Sequence, residues 1–305
     1  MRITPSTTGR SRRLGAVVSA LALIAGPAAC ARQDTHRRTV AVGAIDQSAR
    51  AMLPPQITAR GTLIIATDPT FAPDEFTQPD GSIGGMEVDL IRAVTAKLGL
   101  TASLTPTPFH TILAGVQQGK FDLGVSSMTD TTRREELGDF ITYFQAGPML
   151  IVRTGNPLDL FPDDESLCGH RVAAQQGTIE VDPVLSSRSA QCLTDGLPAI
   201  TTVVVATVGD ALKALLSGRA DATLQDTPIA AYQTTHSDGQ LQTAGDPIDP
   251  APYGFALPKE DDALDSAVLT ATQDVIDDGE YTTILKRWGL TNGAITTATL
   301  DGAIN

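Results

Sequence analysis

One supersecondary pattern occurs twice in this chain, and the repeat limits the fold more than any other feature. The first copy runs from Leu113 through Gly119-Lys120-Phe121-Asp122 to Ser126-Ser127, the second from Leu212 through Gly218-Arg219-Ala220-Asp221 to Gln225-Asp226. Each reads as an amphipathic helix closed by a glycine, then a basic residue and a short buried strand. Each strand ends in two polar residues. Ligands of open α/β sheets lie at the carboxyl ends of the strands. The repeat therefore predicts two similar lobes, each presenting a polar strand end to a shared cleft.

The N-terminus reads as an export signal. Arg2, Arg10, Arg12 and Arg13 precede an apolar run from Leu14 to Ile24 that is short for a permanent membrane span. Gly26-Pro27-Ala28-Ala29-Cys30 is similar to a bacterial lipobox, which makes Cys30 a lipidation site after removal of residues 1–29. Ordinary cleavage and release is the alternative. Residues 30–57 show no strong period and include Pro54-Pro55, as expected of a tether. The body is expected outside the cytoplasm, held at the cell membrane through Cys30 or free as a secreted or periplasmic protein.

Removing residues 1–29, with four Arg and no acid, takes the formal charge from −13 to −17. Such a chain without a basic stripe is no partner for nucleic acid. Besides Cys30 the sequence holds only Cys168 and Cys192. In an oxidising compartment an even pair is most simply a disulfide, the alternative being two buried thiols. The four His are scattered without ligand spacing, so neither a metal nor a cofactor is expected.

Along the body, strands at Thr62–Thr67, Thr101–Thr105, Arg171–Ala174 and Ile200–Ala206 alternate with helical patterns such as Met86–Leu98 and Val208–Ser217. Phe140–Val152 reads as extended chain. A long helix over Asp261–Asp278, a short one ending at Trp288-Gly289 and a loosely packed tail complete the body.

These elements, in this order, resemble the polar amino-acid class (family 3) of extracellular solute-binding proteins of ABC transporters. The resemblance covers about Thr62 to Trp288. It rests on Thr67-Asp68-Pro69-Thr70-Phe71, Gly85-Met86-Glu87-Val88-Asp89-Leu90, Gly119-Lys120-Phe121-Asp122, Ser126-Ser127-Met128-Thr129, Arg134 with Asp139-Phe140, Gln176-Gly177-Thr178, Pro252-Tyr253-Gly254 and Asp278-Gly279-Glu280-Tyr281. It implies an α/β, two-lobed periplasmic-binding-protein-like fold with two mixed, mostly parallel sheets. Lobe 1 is then 58–153 plus 247–292, lobe 2 is 154–246, and 293–305 is a C-terminal tail. The cleft closes by hinge motion around a free amino acid, which passes to an ABC permease. A monomer is expected.

By the same resemblance, Arg134 takes the ligand α-carboxylate, suited to it by the guanidinium fork. Backbone N–H groups of Thr129 and Thr178 supplement it. Asp226 faces the α-ammonium, with the Ser127 and Thr129 side chains and the Ser126 carbonyl as neutral partners. Phe71 and Phe109 clamp the aliphatic stem, and Asp68 faces the ligand side chain. The chain departs from the family at Ile179, where Thr is common, at Glu180, where Gln is common, and at Asp74, in place of an aromatic. The surplus of acids, Asp68, Asp74 and Glu180, favours a cationic side chain. An enzyme on the same fold, such as a dehydratase, and a sensory ligand-binding module are the competing readings. The sequence offers no catalytic triad, metal set or signalling domain in support of either.

Overall fold

A computed structural model describes residues 43–259 and 261–304. The signal, the lipidation site Cys30 and the first part of the tether lie outside the described residues.

Strand β1 (Thr62–Thr67) leads into a small antiparallel sheet of β2 (Thr70–Phe71), β3 (Glu75–Thr77) and β4 (Ile83–Gly84). Then come β5 (Thr101–Pro106), β6 (Leu123–Gly124) and β7 (Gly138–Ala146). Next in the chain are β8 (Pro148–Arg153), β9 (Arg171–Gln175), β10 (Thr201–Val205), β11 (Ala222–Asp226) and β12 (Leu241–Ala244), before β13 (Ala251–Pro258). The helices ahead of β7 are α1 (Gln47–Met52), α2 (Pro55–Arg60), α3 (Met86–Lys97), α4 (Phe109–Gln117) and α5 (Thr132–Glu135). The later ones are α6 (Ser186–Thr194), α7 (Val208–Leu216), α8 (Thr227–Thr235), α9 (Asp262–Asp277) and α10 (Glu280–Trp288).

The two large sheets share one plan. The first has the order β5-β1-β6-β13-β7 and the second β10-β9-β11-β8-β12. In each, the first three strands are parallel and the last two pairings antiparallel. The sheets are thus evenly mixed rather than mostly parallel, because β13 and β8 enter from the inter-lobe crossings and run against their neighbours. The repeat seen in the sequence is α4–β6 in one sheet and α7–β11 in the other. Gly119 and Gly218 end these helices at φ 69° and 77°, where an L side chain would be strained. Asp122 Oδ2 accepts the N–H of Ile64 on β1 at 2.6 Å, and Asp221 Oδ2 accepts that of Arg171 on β9 at 2.9 Å. Both aspartates pin the first parallel strand of their own lobe.

Three segments differ from expectation. Residues 46–57 are folded onto lobe 1 rather than free: Ala49, Leu53 and Ile57 are buried in its core, and Arg50 Nη1 donates to the carbonyls of Leu98 and Gly99 at 2.8 Å each. Their apolar positions are too few and too interrupted by prolines to give a visible period. β8, read as the end of lobe 1, belongs to the second sheet. The extended run Phe140–Val152 breaks at Gly147, which carries the chain across. A Cβ there would lie 2.6 Å from the Ile248 carbonyl on the return crossing, so the two crossings pack tightly. The tail also packs: Leu300 bridges to Ile141 beside β7, and Thr142 N–H donates to the Thr299 carbonyl at 2.9 Å.

Cys168 and Cys192 form a disulfide within the second lobe. Among the described residues no helix is long and apolar enough to cross a membrane.

Candidate functional site

The carboxyl ends of β1 and β6 in the first lobe meet those of β9 and β11 in the second. β1 delivers Asp68, which is buried. Its N–H donates to Ser126 Oγ at 3.1 Å, and its Oδ2 accepts from Phe109 N–H at 3.1 Å and from Gln175 Nε2 at 2.9 Å. The last of these bonds spans the cleft. Burial raises the Asp68 carboxyl above its ordinary range, against the donors around it. Phe71 and Phe109 stand with centroids 5.6 Å apart, and the Arg134 guanidinium lies 5.6 Å over the Phe109 ring.

Arg134 sits on α5, a single turn capped by Thr131, whose hydroxyl accepts the Arg134 N–H at 3.2 Å. The guanidinium donates from Nη1 to the Thr129 carbonyl at 2.6 Å and from Nη2 to the Gly177 carbonyl of the other lobe at 3.0 Å. Burial pulls its pKa down to about 10, while the charges of Glu180, Asp226 and Asp130 hold it up. It stays a cation at neutral pH. Neighbouring Arg133 is exposed and paired with Asp182 at 2.9 Å, in keeping with a solvated charge.

Asp226 closes β11. It does not cap α8 with its side chain: Oδ2 accepts from the Tyr253 hydroxyl at 2.6 Å, and Oδ1 is buried without a hydrogen-bond partner. Burial, then the charge of Glu180, push this carboxyl well above the usual range, with Tyr253 and Arg134 opposing. Glu180 is also buried and raised by burial; the Thr178 side chain and the charge of Arg134 moderate the shift. Thr178 Oγ1 donates to the Gln175 carbonyl at 2.9 Å, and Ile179 lies half-buried beside them.

The serines point elsewhere. Ser126 Oγ donates to Glu75 Oε1 at 2.7 Å. Ser127, at φ 44°, gives its N–H to both oxygens of Glu87 at 2.8 and 3.0 Å, and its hydroxyl lies 2.9 Å from Asp74 Oδ2. Asp74, counted from the sequence among the cleft acids, instead joins Glu75 and Glu87 in a fully buried carboxyl cluster. Tyr143 donates its hydroxyl to Glu87. Burial and the charges of neighbouring carboxyls raise Asp74 and Glu75, which favours their protonated forms. Asp74 therefore belongs to this cluster; Asp68, Glu180 and Asp226 are the acids that stand at the cleft.

Gln175 stands out only in the structure, and Tyr253, noted in the sequence as part of Pro252-Tyr253-Gly254, is there found bonded to Asp226. Gln175 Oε1 is a second buried atom without a hydrogen-bond partner. A cavity of about 980 Å³ opens between the lobes next to Arg134. Phe109, Leu113 and Met128 line it from one side, Thr178, Ile179 and Val184 from the other. Asp68, Glu180 and Asp226 are not in its lining: they lie in the part of the cleft that the lobe-to-lobe hydrogen bonds shut. Among the described residues no group of His, Cys, Asp and Glu is arranged to hold a metal ion.

Residues 63–291 match the family described as bacterial extracellular solute-binding proteins, family 3. The arginine-binding protein ArgT of Corynebacterium glutamicum is 38% identical over 252 residues, which make up 83% of this chain and 82% of that protein. An ancestral arginine-binding protein bound to arginine superposes with a TM-score of 0.67 at 29% identity, over 75% of this chain and 98% of that one. AbpA of Streptococcus pneumoniae, an amino acid ABC transporter substrate-binding protein bound to L-arginine, gives 0.65 at 28% identity, over 77% and 97%. Two mixed sheets of one plan, a cleft with a cation on one wall and carboxylates on the other, and a match over most of the chain lead to one conclusion: this chain belongs to the family 3 bacterial extracellular solute-binding proteins.

Proposed function

We propose that this protein captures a cationic amino acid, arginine foremost, between its lobes and delivers it to an ABC importer. The observation that carries the reading is that Arg134 and Asp226 stand within reach of each other's charge in one cleft without a bond between them. One is a cation whose fork is held only by backbone carbonyls, the other a buried carboxylate whose Oδ1 is without a partner. A zwitterion supplies what both lack. Its carboxylate takes the fork in place of the Gly177 carbonyl, and its ammonium takes Asp226 and Glu180. The stem lies against Phe71 and Phe109. The side-chain cation reaches Asp68 and Gln175 Oε1, two acceptors at the far end. Arginine binding by the related proteins named above supports this choice.

Lobe 1 is then 46–147 with 247–304, lobe 2 is 148–246, and the crossings at Gly147 and near Ile248 carry the closure. Export, a lipid anchor at Cys30 and a monomeric receptor without catalysis complete the proposal. Calorimetry of the mature chain against arginine, lysine, glutamine and glutamate tests it. Arginine is expected to bind tightest. A preference for glutamate, or binding of none of the four, would overturn the reading.

A further inference from the structure

The C-terminal segment beyond residue 291 lies outside the family match, yet it reaches the element that carries Arg134. The segment first runs alongside β7. Asp301 N–H donates to the Phe140 carbonyl at 2.8 Å, and Phe140 N–H returns to Asp301 Oδ1 at 3.0 Å. Thr299 N–H donates to Thr142 Oγ1 at 2.9 Å. It then passes to both ends of α5. Gly302 N–H donates to Asp130 Oδ2 at 2.8 Å, just before the helix, and Ala303 N–H donates to Glu135 Oε1 at 3.0 Å, in its last residue.

A helix of four residues has no cooperativity of its own and takes its position from its neighbours. Its two ends carry carboxyl groups, of Asp130 just before it and Glu135 in its last residue, that repel each other when both are ionised, and Asp130 is buried. Two backbone N–H groups of the tail are placed on those carboxyls. They hold both ends of the turn whose middle aims the guanidinium at the cleft.

We propose that Thr299–Ala303 is a buttress for the Arg134 turn, with Asp130 and Glu135 as positioning residues for capture of the ligand carboxylate. The inference rests on the function proposed above and adds a part of the chain that the family match does not include.

The test is arginine affinity by calorimetry on six chains: wild type, a chain ended at Ala298, Asp130→Ala, Asp130→Asn, Arg134→Lys, and the Ala298 truncation combined with Arg134→Lys. Truncation and Asp130→Ala are each expected to weaken binding about tenfold, the scale of one lost hydrogen bond to a charged group. Asp130→Asn keeps an acceptor for Gly302 and should stay within about threefold, and truncation in the Arg134→Lys background should cost under about threefold, because the fork being positioned is gone. A purely structural tail would weaken binding by the same factor in both backgrounds, and that result overturns the proposal. So does wild-type affinity in both the truncated chain and Asp130→Ala. If circular dichroism shows the truncated chain unfolded, Asp130→Ala against Asp130→Asn decides alone: equal affinity overturns the buttress, a loss rescued by Asn supports it. A wild type that bound no amino acid would overturn the proposed function and this inference together. A wild type that binds beside a truncated chain that binds equally well overturns the buttress only.

Discussion

Gln175 of the second lobe donates its Nε2 to Asp68 Oδ2 of the first at 2.9 Å, a hydrogen bond that spans the cleft where the ligand side chain is proposed to end. Its other amide atom, Oε1, is buried and without a partner. Gln175→Leu is expected to lower arginine affinity about tenfold, on the scale of one charge-assisted hydrogen bond, and glutamine affinity by less. Titrations with both amino acids check this. An equal loss for both would mean that Gln175 only braces the closed lobes.

Arg134→Ala should remove most binding while the fold persists. Leaving a buried carboxylate unpaired costs about 2–5 kcal/mol, or about 30-fold and more in affinity. Arg133→Ala should change affinity by under about threefold, since its partner Asp182 is exposed and surface pairs contribute little. Calorimetry on both variants, with thermal melts to confirm folding, separates them. The reverse ranking would move the carboxylate site by one residue.

Binding should weaken on acidification. Asp226 is raised well above the ordinary aspartate range by burial and by Glu180, and only its ionised form can pair with the ligand ammonium. As pH falls through that raised pKa, the empty cleft gains a proton that the ligand must expel, so affinity drops as pH falls and levels off above it. At a pH where the carboxyl is still protonated, calorimetry in buffers of different ionisation enthalpy should register proton release on binding. Asp226→Asn should abolish that release and most of the affinity. Proton-neutral binding across the range would exclude Asp226 as the ammonium partner.

Reducing the Cys168–Cys192 bridge should lower the stability of the second lobe. In the chain-entropy model, closing a loop of this size contributes about 3 kcal/mol. Thermal melts of the Cys168→Ser/Cys192→Ser double variant, compared with the reduced wild type, check this; unchanged melting in both would show that the loop is held by its packing alone.

What the sequence showed and what it hid divide along chain distance. The repeat was legible because helix, glycine, strand and aspartate follow each other locally: Gly119 with Asp122, and Gly218 with Asp221, do in the structure what their spacing announces. The family resemblance carried Arg134, Asp226 and the aromatic pair into one cleft. Contacts between distant segments were not legible. Gln175 gains its interest from Asp68, which lies 107 residues away. Ser127 looks like a ligand-facing hydroxyl until its left-handed backbone turns it towards Glu87 and Asp74. The tail is held largely by hydrogen bonds from its backbone N–H groups, which leave no mark on composition. Gly147 separates two strands that read as one because both are equally apolar.

The two crossings between the lobes are tied to each other. Ile248 N–H donates to the Pro148 carbonyl at 2.8 Å, and Thr227 N–H, at the start of α8, fastens the Gly147 carbonyl to the second lobe at 3.0 Å. For the proposed closure, links packed this tightly side by side would favour rotation about the crossings over sliding. The proposed ligand contacts at Arg134 and at Asp68 would then act on the same coordinate. In the proposed receptor, affinity and the extent of closure would then be two readings of one angle, and a side chain at Gly147, 2.6 Å from the Ile248 carbonyl, would disturb both.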